Sequence, residues 1–134
     1  MIKNLLAIFL LLNLSITSAN AEQTQADLNQ SACIQFKKID KQLNDVYKQA
    51  LTLHSKDSEF KKYFIQAQRK WIEFRDAHIE SVYLPSKNNN YGSSLPMCQC
   101  YLLQELTQQR ITQLKVWIDG AEEEGDVCVG TTGK

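Results

Sequence analysis

The stretch Ala67-Gln68-Arg69-Lys70-Trp71-Ile72-Glu73-Phe74-Arg75-Asp76-Ala77-His78-Ile79-Glu80 decides the fold. Ala67, Trp71, Phe74 and His78 recur at steps of four and three, which puts them on one side of an α-helix. Gln68, Arg69, Arg75 and Asp76 stand on the shoulders of that stripe. Trp71 is the largest apolar side chain available here and the natural centre of a small core. Arg75 and Asp76 are adjacent, so they point about 100° apart and do not simply pair with each other. Each calls for a partner elsewhere in the fold. A structural helix with flanking charges outweighs a catalytic reading of the stretch.

Working outward, the same stripe begins at Phe60 and Phe64 and runs on to Val82, with Ile65, Ile72 and Ile79 as a second line. An apolar face this wide is touched on more than one side. Asp57 or Ser58 is the N-cap. Pro85 ends the helix, because proline lacks the backbone donor and disfavours helix at the residue before it. Upstream, Leu28, Ala32, Phe36, Ile39, Leu43, Val46, Ala50 and Leu53 form another helical stripe of about seven turns. Thr24 and Asp27 can open it as a capping box. Lys37, Lys38, Asp40, Lys41, Asn44, Asp45 and Lys48 make its solvated face. His54 meets the dipole at the end of this helix.

Downstream, Ser86 to Ser94 reads as a polar loop with three consecutive asparagines. A third helix starts near Ser93 or Ser94, with Pro96 in its first turn, and carries Leu95, Leu103, Leu106, Leu114, Trp117 and Ile118. Gly120 stops it. Arg110 falls close to the line from Leu103 to Trp117, near the core. A buried charge must be paired, and Asp76 is the candidate partner. Asp76, Arg110, Gln68 and Thr107 would then form a buried polar network that fixes helix register. No strand-like alternation of useful length occurs. The expected architecture is all-α: a small antiparallel three-helix bundle stapled by disulfides.

The chain has 134 residues, enough for one domain. Residues 1–21 read as a signal peptide. Lys3 supplies the charge, Leu5 to Leu14 the apolar run, and Ala19-Asn20-Ala21 the cleavage pattern. The apolar run is too short to span a bilayer, and no cysteine follows the cleavage point for a lipid, so no membrane anchor remains after cleavage. The domain is expected at 22–134, with a frayed lead-in at 22–26 and an acidic tail at 120–134. Loss of Lys3 leaves 14 basic against 15 acidic residues. Neither a nucleic-acid partner nor a basic membrane-binding helix is indicated. Periplasmic or secreted localisation follows from the leader.

All four cysteines, Cys33, Cys98, Cys100 and Cys128, lie in the exported part, where an even count reads as two disulfides. Cys98 to Cys100 would close a very tight ring, so each is expected to pair with one of Cys33 and Cys128. A metal site from Cys33, Cys98, Cys100 and His78 is the weaker alternative, because the spacing is not of the zinc type.

Gln68-Arg69-x-Trp71-x-x-Phe74-Arg75-Asp76 resembles the signature of the lysozyme-inhibitor LprI-like family. Further stretches are similar to that family in the same order: Cys33 ahead of Asp40-x-x-Leu43-Asn44-x-x-Tyr47, then Tyr91-Gly92-Ser93-Ser94-x-Pro96-Met97, then Leu106-Thr107-x-x-Arg110 with Leu114. Glu123-Glu124-Gly125-Asp126-Val127-Cys128 is similar to an ending found in some members. Many members carry a cysteine where this chain has His78, with a partner at about Leu102. Cys98 and Cys100 stand here instead, so connectivity does not carry over. The resemblance implies an exported inhibitor of lysozyme or a related cell-wall hydrolase.

Catalysis finds no support. There is no nucleophile motif around Ser93 or Ser94, no phosphate-cradling glycine loop and no haem motif, so no cofactor or metal is expected. His78 on an apolar stripe reads as a satisfied core histidine. A lysozyme cleft is lined by two carboxylates, and the segment from Lys87 to Ser94 is the one long and polar enough to enter it. Lys87 would meet a carboxylate, Tyr91 would anchor, and Ser93 would lie beside them. The competing reading is a periplasmic helical adaptor of the cell envelope, in which this segment is an ordinary connection.

Overall fold

The computed structural model describes residues 22–120 and 129–132. The expected leader, most of the acidic tail and Cys128 lie outside the described residues. Three long helices dominate: α1 (Gln25–Leu53), α2 (Ser58–Val82) and α3 (Leu95–Asp119). Short 3-10 segments cover Pro85–Asn90 and Gly130–Thr132. No strand occurs among the described residues.

The helix boundaries follow local chemistry. The Thr24 hydroxyl accepts from the Asp27 N–H, and the Asp27 carboxylate accepts from the Thr24 N–H at 2.9 Å, a complete capping box. Asp57 caps α2 by accepting from the Phe60 N–H at 2.8 Å. Pro96 sits in the first turn of α3, where its missing N–H costs nothing. Gly120 takes φ 86° at the end of α3, a conformation that penalises other residues. The segment expected to be a plain loop at Ser86 to Ser94 is partly helical. Pro85 presets the φ of a 3-10 segment that runs to Asn90.

The bundle runs up, down, up, so α2 is antiparallel to both neighbours while α1 and α3 are parallel. Three contacts fix this. Cys33 and Cys100 are disulfide-bonded, with Cα atoms 5.1 Å apart, near the N-terminal ends of α1 and α3. Asn29 donates to the Ser93 carbonyl at 2.8 Å beside that bond. At the other end His54 Nε2 lies 3.2 Å from the Trp117 carbonyl. α1 and α3 approach most closely. Ala32 at their contact has no bulk to hold them apart, and Gln104 reaches across to its carbonyl at 2.9 Å. α2 leans on this pair through larger side chains.

The buried core is Leu43 and Ala50 from α1, Phe60 and Phe64 from α2, and Ile111 and Leu114 from α3. Phe64 stacks on Tyr47 and meets the edge of Trp117. The core therefore sits near the α1–α2 turn, not around Trp71, which is only partly buried. The expected stripes also shift. Phe74 is 55 % exposed and Leu53 is 59 % exposed. On α2 the inward line runs Phe60, Phe64, Gln68, Trp71, Arg75 and Ile79, turned from Ala67 and Phe74 toward the polar shoulder. His78 is half-buried and stacks on Phe74, away from the core. On α1, Tyr47, Leu51 and His54 take the place expected for Leu53.

Two outcomes are expected. The Cys33–Cys100 bond closes a loop with a sequence separation of 67 residues. Replacing both cysteines by serine lowers stability by about 2–5 kcal/mol, measured by chemical denaturation. Asp27 titrates below the ordinary carboxylate range, chiefly because the Thr24 hydroxyl, and then its backbone N–H, bond to the ionised form. Its folded pKa lies below its unfolded one, so its contribution is complete above the usual carboxylate range and disappears as pH falls through the lowered value. An Asp27→Asn chain followed by circular dichroism lacks that part of the acid dependence.

Candidate functional site

The α2 signature residues assemble around Trp71. Its ring is flanked by two guanidinium groups, Arg75 at 5.4 Å and Arg110 at 5.9 Å from the centroid. Such cation–π contacts gain strength as water is excluded. Arg75 also lies 6.0 Å from the Phe36 ring of α1. Its side chain is only 14 % exposed. The stem packs inward while the head reaches Asp40 of α1 at 3.4 Å.

The pairing of charges differs from the one expected. Asp76 accepts from Arg75 Nε at 2.8 Å and lies on the exposed side. A 100° separation between neighbouring Cα–Cβ directions does not stop a long arginine from folding back on the next side chain. Arg110 instead donates through Nε to Gln68 Oε1 at 3.0 Å and through Nη1 to Gln113 Oε1 at 3.0 Å. Among the described residues no carboxylate pairs with it. Burial pulls its pKa below the ordinary guanidinium value. The expected network thus reduces to Arg110 with Gln68, which is 6 % exposed. Thr107 is 0 % exposed, and its hydroxyl has no hydrogen-bond partner among the described residues. Arg69 is exposed on α2.

Three further contributors, Asp40, Asn44 and Tyr47, belong to the first-helix motif, although the apolar period does not mark them. Asp40, expected on the solvated face, stands next to Ile39 of the apolar line and is the α1 acid that Arg75 meets. Asn44 holds the same residue by donating to its backbone carbonyl at 2.9 Å. Tyr47 stacks on Phe64 at 5.4 Å, and burial raises its phenol pKa.

The connection from α2 to α3 forms a braced knuckle beside the N-terminal half of α1. Tyr91 turns inward. Its hydroxyl accepts from the Leu84 N–H at 3.2 Å, and its ring meets Tyr83 edge-on at 5.6 Å. The Ser93 carbonyl is held by Asn29, although Ser93 itself is exposed. Lys87 projects from the 3-10 segment, exposed and without an ion pair among the described residues. The structure thus brings Lys87, Tyr91 and Ser93 into one connection, with Tyr91 as a brace.

A groove of about 450 Å³ opens between α2 and α3 at the opposite end of the molecule. Phe60, Phe64 and Trp117 line it, Asp57 and Glu59 mark one end, and Arg110 the other. The Trp117 indole N–H donates to the Thr131 hydroxyl at 3.1 Å, which fixes the ring at the groove wall. Cys33 and Cys100 are spent on their bond, so they cannot serve the metal alternative. Cys98 is half-buried and unbonded among the described residues, and its expected partner Cys128 is outside them. No helix of the described residues is long and apolar enough to cross a membrane.

A disulfide-stapled all-α bundle with a braced knuckle and an arginine–tryptophan stack defines a small helical domain. A family model described as Lysozyme inhibitor LprI matches residues 16–114, and the chain belongs to that family. No curated protein and no solved structure matches the chain.

Thr107 generates a stability test. Filling its place with an isosteric apolar group removes an unpaired buried hydroxyl, which costs about 1–3 kcal/mol. Thr107→Val is expected to raise the Tm by a few degrees in calorimetry, whereas a hydroxyl serving the fold would make the same change destabilising.

Proposed function

We propose that this chain is an exported inhibitor of lysozyme or a related peptidoglycan-cleaving enzyme, and that it acts by binding without chemistry of its own. Export rests on the leader at 1–21, and family membership supports the partner class. The observation that carries the choice of surface is the braced knuckle with Lys87 exposed on it. Helical faces are ridged and do not enter a cleft, whereas this segment is an exposed connection between helices. Its backbone is already ordered by Pro85, by the Tyr91 hydroxyl and by the Asn29 contact to Ser93. A pre-ordered segment loses little conformational entropy on docking. The Lys87 ammonium is free to approach the paired carboxylates of a glycosidase cleft, where opposite charge steers encounter and fixes register. Tyr91 supports that presentation from beneath and is not itself the anchor.

The test is inhibition of lysozyme turnover by the purified mature protein. Lys87→Glu is expected to weaken inhibition by about tenfold or more, the effect of reversing one interfacial charge, with circular dichroism and Tm unchanged. Tyr91→Phe, which removes only the hydroxyl that accepts from Leu84, is expected to weaken it less. Inhibition by the wild-type chain should fall with added salt, since exposed charge attraction is screened over about 8–10 Å at physiological ionic strength. Undiminished inhibition by Lys87→Glu moves the contact off the knuckle. Absence of wild-type inhibition across several lysozyme classes removes the inhibitor reading.

A further inference from the structure

We propose that the groove between α2 and α3 is a second binding site, and that its ligand is a short apolar peptide with free termini. Three features define the ligand. The walls are aromatic: Phe60 and Phe64 from α2 face Trp117 of α3. A groove of about 450 Å³ is within the range of sites for small ligands. The walls therefore select an apolar body.

The two ends carry opposite charge. Arg110 is half-buried at one end, with glutamine side chains as its polar partners among the described residues. A guanidinium so placed keeps its full charge and gains most from a carboxylate that brings no other desolvated charge. At the other end the charged residues of the lining are Asp57 and Glu59, while Lys56 lies outside it and Lys61 is turned to the Ser55 carbonyl at 3.3 Å. Asp57 uses one carboxylate oxygen on the Phe60 N–H, and Glu59 is exposed with no ion pair among the described residues. The helix ends add to this polarity. α1 and α3 both finish here, so two negative helix termini face one positive terminus, that of α2, which Asp57 already caps. This end favours a cation.

A ligand that is anionic at one end, cationic at the other and apolar between is a zwitterion. Its length follows from the helix. Asp57 and Gln68, the partner of Arg110, are three turns apart on α2, or roughly 16 Å. An extended peptide of four or five residues covers that span at about 3.3–3.6 Å per residue. The peptide places its C-terminal carboxylate at Arg110 and its N-terminal ammonium at Glu59 and Asp57. A fatty acid satisfies only the first end, and a hydrophobic amine only the second. The site is far from Lys87 and does not depend on the inhibitor reading.

The test uses the tetrapeptide alanyl-leucyl-alanyl-phenylalanine and the full mature chain. The Trp117 indole N–H, bonded to Thr131, is followed by two-dimensional NMR. Saturable displacement of this signal is expected. Amidating the peptide C-terminus should weaken binding about tenfold or more, the loss of one charge-assisted hydrogen bond. Acetylating the N-terminus should weaken it too, and Glu59→Gln, an exposed change that leaves Asp57 and the fold in place, should make the effect of acetylation smaller. No displacement at about millimolar peptide overturns the proposal. So does equal affinity for the peptide blocked at both ends, which would mark an unselective apolar surface. Displacement by decanoate but not by the peptide would assign the groove to a lipid-like acid and overturn it as well.

Discussion

The parallel seam between α1 and α3 is the constraint on which the other features depend. These helices are not consecutive, and nothing in the chain connection holds them together. The Cys33–Cys100 bond does so at one end, and the His54 contact to the Trp117 carbonyl closes the other. Small and medium side chains, Ala32 and Ala50 among them, let the two backbones come close. α2 is then left to cover a pair whose spacing is already set. It does this with Phe60, Phe64 and Trp71, whose bulk fills the gap in one place and leaves the aromatic groove open in another.

The arginine–tryptophan stack is the second consequence. Because α2 stands off from the seam, there is room for two guanidinium groups beside the Trp71 ring. Burying charge without partners is costly. The cost is limited here because both arginines keep polar contacts. Arg75 reaches Asp40 and Asp76, and Arg110 reaches Gln68 and Gln113. The stack crosses all three helices, since Asp40 and Phe36 belong to α1 and Arg110 to α3. It sets how α2 is rotated, which explains why Phe74 faces solvent while Gln68 is buried.

The polarity of the bundle separates its two ends. Where α2 passes into α3, the chain forms a polar connection braced by Tyr91 and carrying Lys87. Where α1 passes into α2, the turn is short, and the aromatic groove begins beside it. The family match, at residues 16–114, takes in the α2–α3 connection and Arg110 but not Trp117.

Much of the fold was legible in the residues. Helix starts at Thr24 and Asp57, the stop at Gly120 and the break before Pro85 all depend on chemistry within a few positions, so local sequence determined them. The apolar period gave three helices for the same reason. Rotation about each helix axis was not legible, because period alone fixes a face only to within about one residue. Gln68 and Arg75 thus read as shoulders of a stripe centred on Trp71, and only the packed neighbours turned them inward. Charge pairing was misread for a related reason. Arg110 near an apolar line demanded a partner, but which polar group lay within reach depended on how α2 and α3 were set against each other. The pairing of Cys33 with Cys100, in preference to Cys98, belongs to the same class. Two residues along a helix is a turn of about 200°, so only one of the two cysteines can face α1, and the tertiary arrangement chose Cys100.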